Sequence, residues 1–305
     1  DFLLSPQTHN PSIKMPNFKL SEEEAQNLEV YLRTKTKPID SKVVSGDLHK
    51  GKAYFEQLNC AACHDLDKHQ PQKLESIFSK SSGCLTSGGK GKPYYDLAQN
   101  DREALSVFLA EGHEALKHND PIEYSDRSIL AYQCLNCHTR DEKASGWKSP
   151  HTLPSELPPS LTHTGEKLSV EFLQSIFKGD LNQKMRPWMK AKMPYFSLDT
   201  ENLASGLAAS HGFSKSTSQP PQKNGAIGAE LILQNGFACI VCHDTGSLKA
   251  LAPFGAPGPN LELAGERLRH EYYLRWMLNP QRVEPSTHMT KFSSDHQTTG
   301  VKVLD

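Results

Sequence analysis

The sequence predicts an all-α chain made of tandem helical units, each of roughly one hundred residues. Three observations carry that expectation. A Cys-x-x-Cys-His pattern occurs at Cys60–His64, again at Cys134–His138 and again at Cys239–His243. A second segment also repeats: Pro159-Ser-Leu161-Thr-His-Thr-Gly165-Glu166-Lys167-Leu168 returns as Pro259-Asn-Leu261-Glu-Leu-Ala-Gly265-Glu266-Arg267-Leu268. No alternating apolar pattern of strand type competes with these over a comparable length.

The elements follow in chain order. Lys14-Met15-Pro16-Asn17-Phe18-Lys19-Leu20 forms a methionine loop. Ser21-Glu-Glu-Glu24 then supplies a capping box, and Ala25, Leu28 and Leu32 give the helix that follows one apolar face. Leu48, Gly51, Phe55 and Leu58 repeat at helical spacing before the first cysteine pair. Phe55 and Ile129 hold the same place ahead of their cysteines. Both copies of the repeated segment lead into aromatic helical stretches, from Glu171-Phe172 and from Glu271-Tyr272. Each copy lies between a Cys-x-x-Cys-His pattern and a methionine, Met193 in Lys-Met193-Pro-Tyr-Phe or Met289 in His-Met289-Thr-Lys-Phe. The unit is helix, cysteine turn, loop, helix, methionine loop, helix. Linkers are expected around Thr36–Gly46 and Phe213–Gly225, the second rich in Ser, Pro, Gln and Lys. The divisions expected are residues 1–36, 37–118, 119–214 and 215–305.

Composition narrows the function classes. The 305 residues have a mean hydropathy of −0.58 and no run of 18 apolar residues, which excludes a membrane-spanning helix from the reading. Net charge is −1, without the basic surplus of a nucleic-acid binder. Seven cysteines are far too few for a disulfide scaffold. The seventh, Cys84, is expected as a small buried hydrophobe, with an intermolecular disulfide as the alternative.

Cys-x-x-Cys-His is the attachment pattern of a c-type haem. Two thiols three residues apart reach the two vinyl groups on one edge of a porphyrin and form thioethers. The next side chain is then placed to bind iron through its imidazole. Cys60 and Cys63, Cys134 and Cys137, Cys239 and Cys242 are therefore the expected attachment points of three haems, with His64, His138 and His243 as iron ligands. A thioredoxin-like pair needs no histidine directly after it, and a zinc site needs two cysteine knuckles close in the chain. Covalent haem attachment takes place outside the cytoplasm, so the chain is expected to be periplasmic or extracellular.

These residues resemble the class I c-type cytochrome domain, in a tandem, multi-haem form, over nearly the whole chain. The resemblance implies that each unit is a few helices wrapped round its haem. It implies first and last helices that cross at a Gly/aromatic contact, and iron held by His on one side and Met on the other. Carried over, His138 pairs with Met193 and His243 with Met289; Met185 and Met189 stand near enough to Met193 to compete. The segment 1–36 resembles the tail of a further such domain, and residues 215–305 lack the closing helix, so the chain is expected to be part of a longer polypeptide.

One departure stands out. Aligning the methionine loops sets Lys92-Pro93-Tyr94-Tyr95-Asp96-Leu97 against Met15-Pro16-Asn17-Phe18-Lys19-Leu20, so lysine stands where the haem on His64 needs methionine. Lys92 could ligate as a neutral amine, the position could stay open or hold water, or Met15, His113 or His118 could be borrowed. The function expected is electron transfer through three haems toward redox partner proteins. The alternative is a peroxidase-like or gas-binding protein that uses the irregular first haem.

Overall fold

The computed structural model describes residues 1–11, 13–36, 46–57, 96–112, 114, 119–147, 157–181, 183–189, 191–213, 225–252, 257–285, 287–293 and 295. The first cysteine turn (Cys60, Cys63, His64), Cys84, Lys92, His113 and His118 lie outside them. Among the described residues the regular elements are helices; extended pairing is confined to isolated bridges. No helix of the described residues is long and apolar enough to cross a membrane.

The chain forms two compact units. One is Thr34–Asn119, and the other joins Asp1–Arg33 to Asp120–Asp305. The smaller unit carries helices Leu48–Gln57 and Gln99–Glu111, neither of which buries a described residue. Asp47 opens the first of these by accepting from the amides of His49 and Lys50, at 2.9 and 3.2 Å.

The centre of the larger unit is the middle repeat, which starts with the opening helix Pro121–Ala131. Asp120 caps it, and Pro121 occupies the first turn, where its missing N–H costs nothing. Ser169 caps the helix Val170–Lys178, whose chain turns out through Gly179 at φ 71°. Asp199 caps the closing helix Thr200–Ala209. These helices enclose a core of Ile129, Leu173, Leu203, Ala204 and Leu207, with Cys134 and Leu135 packed against it. Each fully buried leucine here contributes about 1.5–3 kcal/mol relative to exposure. The opening and closing helices meet at Gly206, where a Cβ would stand 1.8 Å from the Pro121 carbonyl oxygen and 2.7 Å from Ser125 Cβ. The crossing thus has its glycine, set against a backbone carbonyl and a serine.

The third repeat has helices Gly225–Leu231, Ala264–Arg267, His270–Leu278 and Pro280–Val283. It meets the middle repeat through the repeated segment itself. Leu168 pairs antiparallel with its counterpart Leu268; Ser169 N donates to Arg267 O at 2.9 Å and Arg269 N to Lys167 O at 3.0 Å. Equivalent residues face one another, so the contact is self-complementary, as in a two-fold dimer. Arg275 pairs with Glu166 at 2.6 Å, and the buried Arg269 donates to Gly165 O and Leu168 O.

The N-terminal segment follows the same rule with a different element. Asn17 and Tyr195, each two residues after a methionine, exchange backbone bonds of 3.0 and 3.1 Å, so the Met15 loop lies antiparallel to the Met193 loop. Lys192 adds an ion pair with Glu24 at 2.7 Å. The helix Glu22–Lys35 opens through the expected capping box: Ser21 N donates to Glu24 Oε2 and Glu24 N to Ser21 Oγ. Its expected apolar face is buried at Ala25 alone; Leu28 and Leu32 remain 40% and 48% exposed. Periodicity marks a helix face that can be buried, but burial needs a second element over it, and the segment docks through its loop.

Candidate functional site

The two described cysteine turns are copies of each other. Each is a single 3₁₀ turn, Cys134–Asn136 or Cys239–Val241, entered through a left-handed residue, Gln133 at φ 58° or Ala238 at φ 56°. The histidine amide then closes the turn onto the first cysteine, His138 N to Cys134 O at 2.9 Å and His243 N to Cys239 O at 3.0 Å. This places both thiols and the imidazole on one tight turn. All four cysteines are free thiols, and burial pushes the Cys134 and Cys239 thiols up from the ordinary range.

Each imidazole is aimed by the repeated proline. His138 Nδ1 lies 2.7 Å from Pro159 O, and His243 Nδ1 lies 2.8 Å from Pro259 O. A carbonyl only accepts, so Nδ1 carries the proton and Nε2 keeps its lone pair, the arrangement a metal-binding imidazole requires. Burial lowers the pKa of His138, and Arg186 lowers it further, while the bond to Pro159 opposes them. Gly258 makes room for the second ring, since a Cβ there would stand 2.3 Å from His243 Cε1 and Nδ1.

Each methionine loop is tied to its own cysteine turn by one aromatic pair. Tyr132, two residues before Cys134, packs on Phe196, three residues after Met193, with ring centroids 5.1 Å apart. Phe237, two residues before Cys239, packs on Phe292, three residues after Met289, again at 5.1 Å. Tyr132 Oη also donates to Ser197 O at 3.2 Å, and Asp199 N donates to Tyr124 Oη at 2.9 Å. The register that joins Met193 to the Cys134 turn is thus repeated in the join of Met289 to the Cys239 turn. Met193 is 49% exposed. Met289 is half-buried, and its sulfur accepts from Trp276 Nε1 at 2.8 Å. Met15 is half-buried in the loop paired with that of Met193.

Around these turns are buried donors without a hydrogen bond and cations without an ion pair among the described residues. Trp147 Nε1 and Arg267 Nε are buried without a hydrogen bond. Lys167, Arg186 and Arg267 gather at the junction of the two repeats. Burial, reinforced by the two arginines, lowers Lys167 to about 8. Burial, reinforced by Arg186, lowers Arg267 to about 10. Among the described residues none of the three has an ion-pair partner within 4.0 Å; Glu284 acts on Lys167 and Arg186 from farther away.

The residues therefore suit a covalently held haem: paired free thiols, a neutral imidazole with Nε2 open, a methionine on a loop fixed to the same turn, and orphan donors for carboxylates. Among the described residues no group of three or more His, Cys, Asp or Glu side chains is arranged to hold a metal ion by itself. Sequence reasoning quoted Pro159, Pro259, Lys167 and Arg267 as parts of a repeat but gave them no role. Their recurrence beside the histidine motif was the available signal. Trp276, which carried no sequence signal, is the donor to Met289. Comparison with family models, curated proteins and solved structures gives no match.

Proposed function

We propose that this chain is an electron-transfer module of tandem class I cytochrome c domains, in which each Cys-x-x-Cys-His turn holds one c-type haem by thioethers. The observation that carries the reading is the repeated site geometry, in which a proline carbonyl aims the imidazole and an aromatic pair ties the methionine loop to the same turn. The attachment residues are Cys60 and Cys63, Cys134 and Cys137, Cys239 and Cys242, with His64, His138 and His243 on iron. Haem supplies a one-electron couple when bound.

The protein's part is to hold and tune. Pro159 and Pro259 fix the histidine tautomer and raise the donor strength of Nε2. Met193 and Met289 would supply the second protein ligand to each iron, and thioether ligation would favour the reduced state. Two protein ligands on each iron would leave no place for substrate, so the two described sites suit transfer rather than turnover. Redox proteins are the partners, and thioether attachment sets the location as periplasmic or extracellular. For the first site, Lys92, an open position and a borrowed ligand such as Met15 remain three distinct outcomes.

The test is the pyridine haemochrome spectrum of the purified protein before and after extraction with acidified acetone. Three haems per chain that resist extraction are expected. A colourless protein, or pigment that leaves with the acetone, overturns the proposal. Carbon monoxide added to the reduced protein then classifies the first site: uptake at one haem marks an open position, and no uptake marks a sixth ligand.

A further inference from the structure

The repeat junction contains an arrangement that electron transfer through separate haems does not require. Lys167 belongs to the middle repeat, yet its ammonium lies over rings of the third, 5.6 Å from the Tyr272 centroid and 5.4 Å from that of Trp276. Trp276 is the residue that donates to Met289. Lys167 therefore reaches into the third repeat's site. Its counterpart in the repeat is Arg267, whose buried Nε lacks a hydrogen bond, whose carbonyl accepts from Ser169 N of the middle repeat at 2.9 Å, and on which the charge of Arg186 acts. Arg186 in turn donates to Leu157 O at 3.0 Å and acts on His138. The backbone explains the crossing. Leu168 and Leu268 pair antiparallel, so the residue before each is carried past the pairing toward the opposite repeat.

We propose that Lys167 and Arg267 are exchanged across this junction, each neutralising carboxylates of the haem held by the other repeat, so that the two haems share one half-buried basic cluster. The inference rests on the haem reading above and adds to it which repeat each cation serves. The cluster of Lys167, Arg186 and Arg267 faces Glu284 as its acidic neighbour, which leaves positive charge in excess. Carboxylates from both haems supply the missing negative charge. A cation beside a haem stabilises the reduced, more electron-rich form, so its removal lowers that haem's potential.

The experiment is redox titration of the haem-loaded full chain in two backgrounds, one lacking the middle attachment (Cys134→Ser, Cys137→Ser) and one lacking the third (Cys239→Ser, Cys242→Ser). Lys167→Gln is expected to lower one potential in the first background and none in the second; Arg267→Gln is expected to do the reverse. In the intact chain each substitution lowers one wave, the pair lowers two, and Lys167→Arg restores the first. Haem content is counted beforehand: absence of thioether-bound haem sinks the underlying reading. A full count in which Lys167→Gln shifts the middle haem, or in which neither substitution shifts anything, overturns the exchange alone. Wild-type potentials that move with added phosphate and return on dialysis assign the cluster to a free anion and also overturn it.

Discussion

Gly206→Ala sets two well-defined effects against each other. Alanine is better than glycine inside a helix by about 1 kcal/mol, so the closing helix taken alone should gain stability. At this crossing the added methyl would stand 1.8 Å from Pro121 O, 2.5 Å from Pro121 C and 2.7 Å from Ser125 Cβ. Two of these are backbone atoms of the opening helix, so no side-chain rotation relieves the clash. The helices must separate by about 1.5 Å, and overpacking of this kind costs roughly 2–4 kcal/mol. The same separation loosens Ile129, Leu203 and Leu207, the core that supports Cys134. A net loss of about 2 kcal/mol is expected, a fall in melting temperature of roughly 4–8 °C for a unit of this size. Calorimetry of the haem-loaded protein reads it directly. A variant that melts higher than the parent would show that helix propensity outweighs the crossing, and the packing argument would be wrong.

Three further outcomes follow from the same structure. Trp276→Phe removes the donor to the Met289 sulfur; a stronger sulfur donor favours the oxidised iron. On the proposed haem reading, the potential of a haem held by the Cys239 turn should fall by about 20–40 mV, the equivalent of roughly 0.5–1 kcal/mol for one electron, in a spectroelectrochemical titration. Asp199→Ala removes the acceptor for the Glu201 and Asn202 amides, now at 3.1 and 3.0 Å, and urea unfolding should show a loss of about 1 kcal/mol. In the haem-free protein the lowered pKa of Lys167 means that the unfolded chain binds more protons between pH 8 and the ordinary lysine range. Stability should therefore rise with pH across that window, and the urea midpoint of Lys167→Gln should lose that rise.

Local signals in the chain transferred well. Ser21 and Glu24 form the reciprocal cap their spacing implies, because every partner lies within three residues. Ile129, placed ahead of Cys134 by analogy with Phe55, is a core residue at 3% exposure. Failures of expectation came where a partner far along the chain decides the outcome. Leu28 and Leu32 have the right period for burial, and Leu48 likewise, yet Leu48 is 84% exposed because a period does not supply a covering surface.

The three-residue cysteine spacing and the histidine that follows determine the cofactor chemistry expected, since thiols and imidazole are fixed by one turn of backbone. The matching segments at 159–168 and 259–268 likewise announce that two units share a plan. Tertiary structure alone decides how the units use it. It sets Pro159 and Pro259 against the imidazoles, joins each methionine loop to a turn through an aromatic pair, and makes Leu168 meet Leu268 so that a lysine and an arginine stand at one junction. Those contacts connect residues tens of positions apart. Their formation depends on the packing of whole helices, which a repeat in the sequence can suggest but cannot orient.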